Sequence, residues 1–310
     1  MAVSELLFVA YLWLVSRDRQ WLPKLTPVLC AFFLYVFVMF FVSIIGVDLF
    51  HSFWSNTSRI NGLLMWLHLG SILVIFSALF RTQQDWNRIF FVSTLVGLCV
   101  SVIFYLSLLN PEVFVMFKGG STTGNSTFLG VYLLFQLFFS GLMVLQGKKA
   151  WMKKYGMITA IFFAVTILST TALMAKGALV GGSVLASGLF FVCSQKPNKG
   201  KKICGAVLLA LVSVAFFFSS FSMIFQPQGW IRQTFLDLTS GGRIAVAQIA
   251  WNAVNRHPMF GWGIQNFQTA FFDQYIPCFG SPGCGEELWF DHAHMILLDT
   301  LIDGGILLLL

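Results

Sequence analysis

An all-α bundle of membrane-spanning helices is the fold class this sequence predicts, and three observations predict it. Of its 310 residues, 57% are apolar and only 10% are charged, against roughly 25% charged in a soluble domain. The apolar residues gather in runs near the roughly 20 residues that a helix needs to cross a hydrocarbon slab about 30 Å thick. The basic residues fall mostly in alternate connections between those runs. So little polar side chain cannot cover a water-facing surface, which excludes a soluble enzyme and a disordered chain.

Nine apolar runs are expected as helices, at roughly 5–16, 26–50, 60–80, 89–109, 125–145, 155–175, 177–193, 203–225 and 295–310. The first has no basic segment before it and no small-residue cleavage site after it, so it is not read as a signal peptide. The last runs to Leu310 without a flanking charge. The chain is therefore expected to be a fragment cut within that helix. Residues 1–225 form the expected transmembrane bundle, 226–294 a large extracytoplasmic loop, and 295–310 the start of a further transmembrane helix. No repeat of 20–50 residues and no symmetry between halves is visible.

Orientation follows from the cations. Four short connections hold Arg17, Arg19 and Lys24; Arg81 and Arg88; Lys148, Lys149, Lys153 and Lys154; and Lys196, Lys199, Lys201 and Lys202. These are thirteen of the nineteen basic residues. The positive-inside rule makes that side cytoplasmic. The remaining six are Arg59, Lys118, Lys176, Arg232, Arg243 and Arg256. Topology thus accounts for most of the net charge of +7, and no nucleic-acid partner is needed. The N-terminus comes out extracytoplasmic, which a helix preceding Met1 would reconcile.

The outer segment is unlike the rest. It carries Pro227, Pro258, Pro277 and Pro282, half of the eight prolines. Residues 240–256 read as an amphipathic helix capped by Ser240, with Ile244, Ala247, Ile249, Ala250, Trp251 and Val254 on its apolar face, lying at the lipid interface. Pro258 ends it, and Gly261-Trp262-Gly263 makes a turn. Cys278 and Cys284 bracket Phe-Gly-Ser-Pro-Gly. A zinc site would want more ligands at closer spacing, so a local disulfide across this turn is the preferred reading in an oxidising compartment. The other four cysteines sit in or at the ends of helices as small apolar groups.

Polar residues next to apolar helices are the candidates for chemistry, because burying them in lipid is costly. Lys176, between the runs 155–175 and 177–193, has two readings: a snorkelling interfacial cation, or an anion ligand at the start of the next helix. Arg243 follows Gly241-Gly242; it is either a solvated charge or a guanidinium that joins backbone N–H groups on a phosphate. His292 and His294, in Asp291-His292-Ala293-His294, fit a surface pair, a helix cap, a metal site or a general base. His-x-His without further ligands is a weak metal signal, and no metal or other cofactor is assigned. Asp299 and Asp303 lie inside the start of the last helix, where an acid needs a reason. Arg59 and His68 flank the third helix.

These positions, in this order, resemble those of the bacterial O-antigen ligase and polymerase family. The resemblance rests first on Ser240-Gly241-Gly242-Arg243, Trp251 and the run His257-Pro258-Met259-Phe260-Gly261-Trp262-Gly263 through Phe267. It continues through Trp289-Phe290-Asp291-His292-Ala293-His294 with Leu298, Asp299, Asp303 and Gly305. Gly124-Asn125 through Gly130, Ser169 through Ala178, and Gly46 through Asn56 with Arg59 are similar to further elements, so the family-like region is placed at 120–310. Two departures stand out. Lys176 occupies the site of a family Arg, and Met295 that of an Asn after the His.

The resemblance implies a multi-pass glycosyltransferase of the bacterial cytoplasmic (inner) membrane with its active face outside the cytoplasm. It implies a donor glycan on undecaprenyl pyrophosphate, a glycan, lipid or protein hydroxyl as acceptor, inversion at the anomeric carbon, and no metal. Arg243 and Lys176 would bind the diphosphate and His294 would activate the acceptor. Arg59, His292, Asp299 and Asp303 would support them. The competing reading from another class is a transporter or flippase of lipid-linked glycans. It predicts repeats and broken helices meeting near the midplane.

Overall fold

A computed structural model describes residues 1–57, 60–117, 119–193, 199–225, 229, 242–279 and 289–310. Among them the regular structure is helical, with no strand. The helices are α1 (Ala2–Arg17), α2 (Pro27–Ile45), α3 (Leu49–Trp54), α4 (Leu63–Leu79), α5 (Gln83–Leu109), α6 (Ser126–Gln146), α7 (Ala150–Ser169), α8 (Leu173–Cys193), α9 (Lys199–Phe225), α10 (Gly242–Arg256), α11 (Phe267–Asp273) and α12 (Ile296–Leu309). Six of these, α2 and α5 to α9, are long and apolar enough to cross a membrane, and α4 is a shorter apolar helix. Each of the nine expected runs contains one long helix, although the run 26–50 breaks after Ile45 and its last two residues open α3; the chain is a polytopic helical membrane protein.

Local chemistry explains where the helices start. Pro27 opens α2, where its missing N–H is no loss, and the Thr26 hydroxyl accepts from Leu29 N at 3.2 Å. Thr82 and Asp85 form a reciprocal capping box. It starts α5 at Gln83, six residues before the apolar run, so Arg88 lies within the helix. Asn125 caps α6 by accepting from Thr127 N at 2.7 Å, and Asp48 caps α3 by accepting from His51 N at 2.9 Å.

The chain forms two compact units, one of Met1–Arg81 with Phe225–Leu310 and the other of Thr82–Ile224. In the second unit, α6 and α7 pack closely. A Cβ on Gly156 would sit 2.7 Å from the Ser140 carbonyl, and Thr159 donates to Ser140 Oγ at 2.9 Å. Small residues let the backbones approach, as in other membrane bundles. Buried Gln136 is satisfied by Ser93, 3.0 Å away.

In the first unit, α10 to α12 pack on one another and α12 packs on α2. The amphipathic reading of α10 holds, but its buried face is rotated from the one expected. Ala245, Val246, Ile249, Ala250, Ala253 and Val254 are buried with Trp262, Phe267, Phe271, Phe290 and Ile302. Trp251 is 55% exposed and Ile244 37%. The helix thus turns its small apolar residues into a protein core, because close packing against α12 needs them there, and leaves the bulky ones outside. Two short helices, α3 and α11, interrupt segments expected to be loop.

Candidate active site

The site residues of the first unit are organised by a break in α12. At Gly305 the backbone turns to φ 64°, ψ −159°, a region open essentially only to glycine. In an unbroken helix Ile306 and Leu307 would donate to the carbonyls of Ile302 and Asp303. Instead they donate to Pro258 O (2.9 Å) and Met259 O (3.3 Å), while Ile302 O and Asp303 O accept from Trp262 N (2.6 Å) and Gly263 N (3.1 Å). The turn 258–263 is therefore wedged into the helix and pairs with these four backbone groups. Irregular backbone in apolar surroundings is tolerated only when its polar groups are paired in this way.

Three side chains lock the wedge. Trp262 donates its indole N–H to Ala253 O at 3.0 Å and meets the His257 ring edge-on at 4.6 Å. Asn266, buried, places Nδ2 within 3.1–3.3 Å of Trp262 O, Ser52 Oγ and Asp48 O, tying the wedge to α3. Asp303 Oδ1 accepts from Gln265 N at 2.9 Å; Gln265 itself has φ 63°. This gives the intrahelical acid its reason. Asp303→Leu should leave a part-buried N–H unpaired and cost about 1–3 kcal/mol, whereas Asp303→Asn keeps an acceptor oxygen and should cost less. Unfolding midpoints of the purified variants in detergent check this.

The histidine loop lies just before α12. Asp299, in the first turn, reaches back over the helix start: Oδ1 accepts from Ala293 N at 2.7 Å and stands 3.8 Å from His292 Nδ1. Ala293 is buried, His292 half-buried. His294 is exposed, with φ 56° and its ring edge-on to Phe290 at 5.9 Å. Positive φ is uncommon for a residue with a Cβ. Here the flanking Ala293 and Asp299 contacts hold it, so that His294 alone of the pair is turned outward.

Arg243 lies in the first turn of α10, exposed, with no ion-pair partner among the described residues. Ser240, Gly241 and Arg59 lie outside the described residues. At the other end of α10, Arg256 pairs with Asp273 of α11 at 3.2 Å. Cys278 is disulfide-bonded; Cys284 lies outside the described residues. Lys176 belongs to the second unit. The sequence put it between two helices, but α8 begins at Leu173 and the Lys176 N–H already donates to Ala172 O. The turn is Thr170-Thr171-Ala172, where the Thr170 hydroxyl accepts from Ala172 N. Lys176 thus stands one turn into α8, part-buried.

Sequence reasoning singled out Arg243, His294, Asp299 and Asp303 but gave Asn266, Gln265 and Trp262 no role of their own. The only signal was their position inside the run His257 through Phe267 that carries the family resemblance.

Six helices long and apolar enough to cross a membrane, with α12 packed on one of them, α2, define a polytopic helical membrane protein. The family model for O-antigen ligase matches residues 155–310, from within α7 through the whole wedge and histidine loop. The chain belongs to the O-antigen ligase family. That family is one of glycosyltransferase-type membrane enzymes working with lipid-linked glycans. No curated protein and no solved structure is significantly similar to the chain.

Proposed function

We infer that the protein transfers a glycan from an undecaprenyl-pyrophosphate carrier to an acceptor hydroxyl, at the extracytoplasmic face of the bacterial inner membrane. The family match over 155–310 carries this reading. The exposed Arg243 and the outward-turned His294 support it. In the proposed reaction the acceptor oxygen attacks the anomeric carbon from the face opposite the leaving group, so the configuration inverts. The bond from that carbon to the diphosphate oxygen breaks, and its electron pair leaves with the lipid diphosphate. Arg243 holds the diphosphate and stabilises the charge that develops on it. His294 takes the hydroxyl proton as the new bond forms.

The transport reading has one observation in its favour, the broken α12, since discontinuous helices hold substrates in many transporters. Here, however, the four backbone groups freed by the break are occupied by the wedge.

The test is a defined lipid-linked donor offered to the full-length protein with three acceptors in turn: a lipid A core, a second repeat unit and a peptide hydroxyl. Product carrying a new, inverted glycosidic bond, formed equally with and without chelator, is the expected result. Arg243→Ala should weaken donor binding more than Arg243→Lys does, because the Lys keeps the charge and loses only the fork. Movement of the donor across the bilayer with no bond formed to any acceptor would replace this reading with transport.

A further inference from the structure

The second unit holds a cavity that the transfer reaction does not use. It has a volume of about 790 Å³ and lies where the start of α5 meets the α6–α7 connection, within the size range of small-molecule sites. Its walls are of two kinds. Arg88, Lys148 and Lys149 supply three cations, with the buried amide of Asn87 beside them. Phe91, Val92, Trp151 and Met152 supply a continuous apolar side. No carboxylate lines it among the described residues. Asp85, one turn before Arg88, is engaged in the capping box of α5 and stands 3.8 Å from Arg88. Lys148 and Lys149 are exposed and without an ion-pair partner among the described residues.

We propose that this cavity binds one anionic phospholipid from the leaflet on the side of the lysine-rich connections, its phosphate among Arg88, Lys148 and Lys149 and its acyl chains along Phe91, Val92 and Trp151. The division of the walls selects the ligand. A soluble phosphate would satisfy the cations but leave the apolar side unfilled, although Val92 is 58% and Trp151 51% exposed on helices that cross the membrane. A zwitterionic lipid would bring a positive headgroup to a wall that offers three cations and no anion. An anionic phospholipid matches both sides, and basic pockets between spanning helices are a recurring form of headgroup site. Asn87 already accepts from Gln83 Nε2 at 3.2 Å, which leaves its own amide N–H groups able to donate to a phosphate oxygen.

The experiment titrates the purified full chain in detergent with dioctanoyl phosphatidylglycerol, dioctanoyl phosphatidylcholine and sn-glycerol 3-phosphate, reading bound lipid by native mass spectrometry. The glycerol lipid should bind most tightly. Each cation near a membrane surface is worth about fivefold in affinity, so Lys148→Ala with Lys149→Ala should weaken it about 25-fold. Lys153→Ala with Lys154→Ala removes the same charge from exposed positions outside the cavity and should change affinity less than twofold. Trp151→Ala should weaken the lipid and leave glycerol phosphate unaffected. Replacing all three cations conservatively, Arg88→Lys with Lys148→Arg and Lys149→Arg, should retain binding, which separates lost contacts from lost folding. Equal binding of the two lipids, or equal loss in the two lysine pairs, would reduce the effect to diffuse surface charge and overturn the site. Glycerol phosphate binding as tightly as the lipid would overturn the acyl half of the proposal.

Discussion

His294→Ala should lower the rate of glycan transfer by about 10²–10⁴-fold, the range for loss of a positioned general base, while donor binding stays nearly intact. The expectation rests on what distinguishes the two histidines. His292 is half-buried, and its Nδ1 faces Asp299 at 3.8 Å. His294 is exposed and held at positive φ by buried Ala293 on one side and the start of α12 on the other. A loop that spends conformational freedom to turn one imidazole outward is consistent with use of that imidazole. His292→Ala should change turnover little. Donor affinity and single-turnover rate, measured separately, place the loss: a base acts in the chemical step, so kcat falls with an unchanged donor Kd. A metal site spanning the pair predicts instead that both substitutions hurt alike and that a chelator reproduces them. If His292→Ala is the inactive variant and His294→Ala works, the assignment of the base is off by two residues.

Gly305→Ala should be the most destabilising small substitution in the first unit. Alanine at φ 64°, ψ −159° carries a backbone penalty of about 1–3 kcal/mol. Its Cβ would also stand 2.4 Å from the Met259 carbonyl carbon and oxygen and 2.6 Å from Phe260 N, atoms that cannot rotate away. Overpacking of this kind adds about 1–3 kcal/mol. The clash falls on the turn whose four backbone hydrogen bonds close the break in α12, so those bonds should be strained together. Gly261→Ala meets the same difficulty from the other side: φ is +67° and its Cβ would lie 2.4 Å from Ile302 O. Gly177→Ala and Gly181→Ala, in open space on α8, serve as comparisons and should leave stability unchanged or raise it by up to about 1 kcal/mol through helix propensity. Thermal unfolding midpoints in detergent distinguish the cases. Equal midpoints for Gly305→Ala and Gly177→Ala would mean that the wedge does not hold α12 in solution.

Much of this was legible in the residues themselves. A spanning helix is a local property, since an apolar run of sufficient length between polar breaks can satisfy its backbone only internally. The nine runs therefore appear as nine helices, with ends moved by caps such as Thr82 and Asp85. Pro258 and the Gly-Trp-Gly that follows marked a turn for equally local reasons: a fixed φ with no N–H at one and two glycines, both with positive φ, at the other. The kinship with O-antigen ligases was also visible, in the spacing from Arg243 to Gly305.

Tertiary structure decided what depends on partners far along the chain. Which face of α10 is buried was fixed by α12, about 50 residues away, so the periodicity of the helix gave a face but the wrong edge of it. Nothing local says that the turn at 258–263 will enter the break at Gly304-Gly305, or that Asn266 will reach back more than 200 residues to Ser52. Lys176 read as a residue of the connecting turn because Gly177 looked like a helix start; the Thr170 hydroxyl supplied the turn earlier and drew Lys176 into α8. Apolar packing chose the face of α10 and a local hydroxyl chose the start of α8, whereas the wedge was decided by long-range hydrogen bonds that pair backbone groups which would otherwise be buried without partners.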